Sequence, residues 1–202
     1  MYSVPMAAVD FIPVLLFGIA AAVLQRDLYE KMSKGVFALF AAGTIDVFLA
    51  GFLKALYKLL YAAGVCDFQP LTQMFFPLQA IGFLLAGLAM LRVKAPRREA
   101  TALSVAALPV FKGTMIFVVL MVLGLGMMDA CLARIALRLK KKPAAILFAV
   151  SFVFCLGMGY LASKDFTQSY MNWVAEGVNV IGQGAFLAGA LMLHKAGIGR
   201  EA

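Results

Sequence analysis

The fold class follows from a stretch near the middle of the chain, Gly113 to Leu137, which reads GTMIFVVLMVLGLGMMDACLARIAL. An apolar run of this length matches the helix of roughly 20 residues that crosses a hydrocarbon core about 30 Å thick. Between Ile116 and Met128 polar and apolar residues do not alternate, as they would in a strand of a membrane β-barrel. The stretch therefore predicts a transmembrane α-helix.

Apolar stretches of similar length lie on both sides of this one. They run from about Pro5 to Arg26, Gly35 to Tyr61, Leu71 to Arg92, Pro143 to Ser163 and Thr167 to Lys195. Charged residues make up 14% of the chain, against about 25% in an ordinary soluble domain. Residues 1–202 are therefore predicted to form a single all-α polytopic membrane domain, in the cell membrane.

An internal similarity divides the chain into two halves. At a shift of 108 residues, Val14 to Arg26 aligns with Val122 to Arg134 with six identities, two of them Gly with Gly and Arg with Arg. At a shift of 102 residues, Gly82 to Leu91 aligns with Gly184 to Leu193. This pattern indicates a duplicated three-helix unit, a feature that recurs in secondary transporters.

Two arrangements place residues 5–92 and residues 113–195 in the membrane as three-helix repeats. If residues 99–112 form a short linker helix that also crosses, the chain has seven transmembrane helices and fourteen of its 18 Lys and Arg residues lie on one side. Without that crossing, six helices form inverted repeats and the basic residues divide nine against nine. Because short cytoplasmic loops carry an excess of Lys and Arg, we favour seven helices, with the N-terminus outside and the C-terminus in the cytoplasm.

This three-one-three plan resembles the general arrangement of SWEET sugar transporters, PQ-loop proteins and the KDEL-receptor fold. The resemblance is one of architecture and implies a helical membrane protein with two related halves. The Pro-Gln dipeptide of these families is absent, the nearest text being the reversed Gln69-Pro70. No site residue is carried over from them.

The last predicted helix carries the strongest polar pattern. Polar side chains are costly inside the membrane and mark functional positions. Asn172, Glu176, Asn179 and Gln183 follow spacings of 4, 3 and 4 and therefore share one helical face. We expect this face to line a substrate-binding cavity; the alternative is a hydrogen-bonded seam against another helix.

Two polar residues in other helices are further candidates. Asp46 lies near the middle of the second helix, with an alanine one turn away on either side. It is expected to be a proton or cation relay together with Glu176, or else a neutral packing group. Gln79 follows Pro77, whose ring removes a backbone hydrogen bond and can kink the helix. Gln79 is expected to contact the substrate, or else to form an interhelical hydrogen bond.

Other charged residues receive structural interpretations. Asp10 lies near an outer helix end, where water can solvate it, and Lys54 and Lys58 count as basic residues of the outer side. Asp129 is about one and a half turns from Arg134, so an ion pair is as reasonable as a functional role.

The sequence lacks the signature motifs of several protein classes. His194 is the only histidine, which excludes a histidine-based metal cluster or a catalytic triad. No Walker, G-x-S-x-G or H-E-x-x-H sequence occurs, and the three cysteines form no CxxC pair. The basic residues lie in short clusters between apolar segments, which does not suit nucleic-acid binding. We expect no cofactor and no metal. An enzyme is not the expected class, although Asp46 and Glu176 as an acid–base pair stay an alternative.

The expected function is transport of a small polar solute, coupled to protons or cations, with a central site between the repeats. The alternative is a membrane subunit that binds or senses a small ligand and acts with a separate partner. The substrate-binding subunit of a vitamin importer is one example, which six helices would suit better. Besides the lipid bilayer and the small ligand, the sequence allows two further partners, a second copy of the chain and another membrane subunit.

Overall fold

The computed structural model describes residues 3–93, 115–161 and 169–198. Over these ranges the protein is all-helical and contains no strand. The helices are α1 (Val4–Val9), α2 (Phe11–Leu28), α3 (Lys34–Ala62), α4 (Pro70–Gln73), α5 (Phe75–Leu91), α6 (Met115–Arg138), α7 (Lys142–Leu161) and α8 (Ser169–Lys195). A short 3₁₀ turn, Tyr29–Lys31, follows α2.

In the described ranges, six segments are long and apolar enough to cross a membrane. They are Val4–Lys31, Lys34–Ala62, Pro70–Leu91, Met115–Arg138, Lys142–Leu161 and Tyr170–Lys195. The protein is therefore an all-α membrane protein, in agreement with the class predicted from its apolar stretches. The predicted linker helix, residues 99–112, lies outside the described residues.

Local signals set several helix boundaries. The hydroxyl of Ser33 accepts a hydrogen bond from the Val36 amide at the start of α3, which satisfies one of the unpaired amides of the first turn. Gly64 ends that helix with φ of 68°, a left-handed conformation that glycine adopts without steric cost. Lys140 takes φ of 56° in the turn between α6 and α7.

Consecutive helices within each half are antiparallel, because their contacts join an early residue of one helix to a late residue of the next. In the first half, Val14 contacts Gly51 and Gly18 contacts Phe48 between α2 and α3, and Val47 contacts Gly82 and Lys54 contacts Phe75 between α3 and α5. In the second half, Val118 contacts Gly159 and Gly126 contacts Phe152 between α6 and α7, and Phe148 contacts Gly189 and Phe154 contacts Gly182 between α7 and α8.

The two halves point in the same direction. Helices α2 and α8 are parallel, since Phe17 stacks on Phe186 and, further along both helices, Asp27 pairs with His194. Both α2 and α5 are antiparallel to α3, and both α6 and α8 are antiparallel to α7. All four therefore run the same way, and the end of α5 and the start of α6 lie at opposite ends of the bundle.

The pattern of helix packing is the same in both halves. Helix α3 contacts α2 and α5, and α7 contacts α6 and α8. The halves meet where α5 packs on α6 and where α8 packs on α2. At the first of these contacts the backbones approach so closely at Gly87 and Gly124 that a Cβ on either would collide with the other helix. Small residues permit such close crossings in membranes.

Basic residues of the described ranges concentrate at one end of the bundle. We call this the basic end; it carries Arg26, Lys31, Lys34, Arg92, Arg134, Arg138, Lys140, Lys141, Lys142 and Lys195. At the opposite end, the described ranges contribute Lys54 and Lys58, near the end of α3. The outer surface between the two ends exposes large apolar side chains such as Ile19, Val153 and Ile181, as contact with lipid requires.

Candidate functional site

A cavity of about 160 Å³ lies in the centre of the bundle, enough for several water molecules or a small solute. Helices α2, α3, α5, α6, α7 and α8 all contribute to its lining. Much of the wall is aromatic, formed by Phe17, Phe48, Phe75, Phe76, Phe83 and Phe154. Its polar and charged lining residues are Asp10, Lys54, Lys58, Gln79, Ser151, Glu176, Asn179 and Gln183.

The structure brings most of the predicted site residues together. Gln79, Glu176, Asn179 and Gln183 line the cavity. Asn172 lies one turn before Glu176 and is not part of the lining, although it is half-buried and makes contacts of its own. The polar face of α8 thus reaches the cavity over its last three members only.

Asp46 does not reach the cavity. The lining residues of α3 are Val47, Phe48, Gly51, Lys54, Ala55 and Lys58. Asp46 is half-buried on a neighbouring face of the same helix. Its predicted role as a relay is therefore not supported by a position at the cavity wall.

A cluster of buried ion pairs lies at the end of the cavity that is farther from the basic end. Lys58 Nζ forms ion pairs with Asp10 Oδ2 and, at 3.4 Å, with Glu176 Oε1. The three residues are 6 to 8% exposed. Buried charges persist in proteins when they are paired, and this pairing joins the start of α2 and the end of α3 to α8.

The cluster has unused hydrogen-bonding capacity. Asp10 Oδ1 and Glu176 Oε2 are buried and accept no hydrogen bond from the described residues. Two carboxyl groups also share one ammonium group. A proton, a cation or a ligand donor held between them would supply what these oxygens lack.

Lys54 adds a second ammonium group to the same wall. It lies one turn before Lys58 on α3, and its Nζ is 3.9 Å from the centre of the Phe75 ring. Among the described residues no carboxylate lies within 4.0 Å of it. Its charge is stabilised by an aromatic face and, at longer range, by the carboxylates of Asp10 and Glu176.

Amide side chains continue the polar wall toward the middle of the bundle. Gln79 Oε1 is buried and has no hydrogen-bond partner within the described ranges. Asn179 and Gln183 face the same space from α8. These groups can orient a solute through directed hydrogen bonds, which is how polar groups confer specificity in mostly apolar pockets.

An aromatic layer separates the cavity from the basic end. Phe17 packs edge-on against Phe83 and stacks on Phe186, with ring centroids 5.9 and 5.7 Å apart, and Phe186 meets Phe148 at 5.8 Å. All four rings are at most 4% exposed. The layer joins α2 and α5 of the first half to α7 and α8 of the second.

A second polar contact links α2 to α8 at the basic end. His194 Nδ1 lies 2.9 Å from Asp27 Oδ2, and Arg26 contacts the same ring. Helices α2 and α8 are therefore joined by polar side chains at both ends, through Lys58 at one end and directly through Asp27 and His194 at the other.

Asp129 does not form the ion pair with Arg134 that its position allowed. Its carboxyl group is buried and interacts with the side chain of Ser151 on α7. Ser151 also lines the cavity, so Asp129 lies directly behind the wall.

Sequence reasoning missed Asp10, Lys54 and Lys58 as site residues. The two lysines were counted as outer-side charges and Asp10 as a solvated helix end, yet all three line the cavity. The available signal was the spacing of the lysines, one turn apart on a single face inside an apolar stretch.

Comparison of the chain with protein-family models, curated proteins and solved structures finds no match.

Proposed function

We propose that this protein transports a small polar solute across the membrane and binds it in the central cavity. The observation that carries the proposal is the composition of the cavity wall. All six long helices reach it, and it combines amide groups with a buried ion cluster. A site at the interface of two halves is the common arrangement in secondary transporters.

The proposed topology has seven crossings, of which residues 99–112 supply the fourth. The parallel direction of the two halves supports it, because α5 ends and α6 begins at opposite ends of the bundle. The repeated packing of helices in both halves supports a duplication with parallel repeats. The concentration of Lys and Arg supports a cytoplasmic basic end and, with it, the proposed outside N-terminus.

Alternating access follows from two closures on either side of the cavity. On the outer side, Lys58 holds α2 and α8 together through Asp10 and Glu176. On the cytoplasmic side, the aromatic layer joins the same two helices. Protonation of Glu176 removes the charge that attracts Lys58, so proton uptake weakens the outer closure. Opening of one closure while the other stays shut moves the solute.

The proposal is tested with purified protein in liposomes that contain a pH-sensitive dye. Amino acids, sugars and small carboxylates are added one at a time outside, and acidification of the lumen beyond that of protein-free vesicles reports proton-coupled uptake, because protonated carboxylic acids cross lipid unaided. We expect at least one solute to acidify wild-type vesicles. Glu176→Gln should keep solute binding and lose the acidification, because it retains hydrogen bonding without a titratable proton.

Asp46→Asn and Asp27→Asn are the matched controls, since neither residue lines the cavity. Loss of coupling in Asp46→Asn alone would move the relay to Asp46, the second candidate from sequence. A solute that raises the unfolding temperature of the protein but enters no vesicle would instead indicate a ligand-binding subunit that acts with a partner.

A further inference from the structure

Lys54 differs from the other charged groups that line the cavity. Lys58 is engaged by both Asp10 and Glu176. Lys54 contacts the Phe75 ring and has no carboxylate of the described ranges within 4.0 Å. A lysine held over an aromatic ring at the wall of a cavity, with the carboxylates of Asp10 and Glu176 only at longer range, presents a positive charge to whatever occupies that cavity.

With one added proton, the charge balance of the wall suits a ligand with one negative charge. The titratable groups that line the cavity are Asp10, Lys54, Lys58, Cys155 and Glu176. One proton shared between the two carboxyl oxygens that lack partners would make the Asp10, Lys58 and Glu176 group neutral. When ionised, the two lysines and the two carboxylates of the wall sum to zero, so this added proton leaves a net charge of +1, which a monoanion neutralises and a dianion exceeds.

The remaining lining residues indicate which chemical groups suit the rest of the ligand. Phe48, Phe76 and Phe154 supply flat apolar surfaces, which favour an aromatic or branched apolar group. Gln79, Asn179 and Gln183 offer hydrogen bonds along one side. Lysine recognises an anion as a point charge, without the planar two-point geometry that arginine provides, so the anionic group need not have one fixed orientation.

We propose that the cavity binds a small organic monocarboxylate with an apolar or aromatic body, and that Lys54 is the residue that pairs with its carboxylate. The proposal rests on the cavity being the substrate site and names the substrate class. It also gives a stoichiometry: each monoanion that binds at Lys54 is accompanied by one proton on the pair of Asp10 and Glu176.

The first test compares three probes of one shape and different charge. Benzoate, benzamide and benzylamine are titrated against the purified protein in detergent, and binding is read from the rise in unfolding temperature. We expect benzoate to bind most tightly. Lys54→Met should weaken benzoate binding by about 10- to 100-fold, the range for loss of a hydrogen bond to a charged group. Lys54→Arg should keep most of the affinity.

Lys34→Met is the matched control, because Lys34 begins the same helix at the basic end and does not line the cavity. It should leave benzoate binding unchanged. Equal binding of benzamide or benzylamine by the wild type, or unchanged benzoate binding by a folded Lys54→Met protein, would overturn the proposal.

A charge-rescue experiment separates the charge of Lys54 from its packing. In a protein whose native cysteines are replaced by serine, Lys54→Cys is treated either with an aminoethyl thiosulfonate, which restores a positive charge, or with a methyl thiosulfonate, which does not. We expect benzoate affinity to return only after the aminoethyl treatment. Equal recovery with both reagents, or recovery with neither in a folded protein, would overturn the proposal.

Binding and flux separate this inference from the proposed function. If benzoate binds through Lys54 but no monocarboxylate enters protein-containing vesicles faster than protein-free ones, the anion site stands and the transport proposal fails. If a sugar or an amine is transported and Lys54→Met transports it as the wild type does, the transport proposal stands and the anion site fails.

Discussion

The ion cluster predicts unequal effects of removing its members. Lys58 is paired with two carboxylates, whereas Asp10 and Glu176 are each paired with Lys58. Lys58→Met therefore leaves two buried carboxylates without their shared cation. Removing one partner of a buried ion pair costs about 3–5 kcal/mol. For a chain of this size each kcal/mol lowers the unfolding temperature by about 2–4 °C, so we expect a loss of roughly 6–20 °C.

Glu176→Gln should be milder. Lys58 keeps its ion pair with Asp10, and the lost contact is the longer one, at 3.4 Å. A loss of about 1–2 kcal/mol is expected. The triple variant Asp10→Asn, Lys58→Met, Glu176→Gln removes every charge of the cluster and should be more stable than Lys58→Met, because it leaves no buried charge unpaired.

Thermal unfolding in detergent measures these differences through the reactivity of the buried Cys131 thiol, in a background with Cys66→Ser and Cys155→Ser. Acidic buffer should restore part of the stability of Lys58→Met, because protons then neutralise the two carboxylates. If Lys58→Met unfolds within about 2 °C of its background, or if Glu176→Gln is the less stable of the two, Lys58 does not hold the cluster together as described.

Three further predictions concern the rest of the bundle. Gly124→Ala should destabilise the protein by about 1–3 kcal/mol, because its Cβ would lie 2.5 Å from the backbone nitrogen of Leu84 in α5. In the control Gly184→Ala, the added Cβ has nothing within 4 Å, so the melting temperature should be equal or higher. Equal losses in both variants would argue against the close crossing. His194→Ala should cost about 1 kcal/mol or less, because the imidazole is 37% exposed; a loss as large as that of Lys58→Met in the same assay would contradict this. Cys66 should react with an impermeant thiol reagent on intact cells when the other cysteines are replaced, whereas reaction only after lysis would reverse the proposed orientation.

The sequence could predict those residues of the site that form a pattern within one helix. The polar face of α8 was visible because spacings of 4, 3 and 4 place its members together within one helix. Whether each member reaches a cavity depends on what packs against the helix at that level, and Asn172 lies outside the lining for this reason. The position of Asp46 could not be predicted for a related reason. A membrane helix presents apolar residues both to lipid on one side and to neighbouring helices on the other. Its hydrophobic pattern therefore does not define which side faces the centre.

The fold class and the number of long apolar segments could be read from the chain itself. In a bilayer each segment must satisfy its own backbone hydrogen bonds, which leaves helices of a length set by the hydrocarbon thickness. That constraint is local, so runs such as Gly113 to Leu137 are sufficient evidence for it.

The pairing of charges required the folded bundle. Lys58 and Glu176 are 118 positions apart in the chain, and no spacing rule relates them. They meet because α2 and α8 are parallel neighbours, which brings Asp10 and Glu176 to the same end of the bundle as Lys58. Burying a charge in an apolar interior costs less where an opposite charge lies within reach, and that proximity is a property of the helix arrangement, not of any one segment.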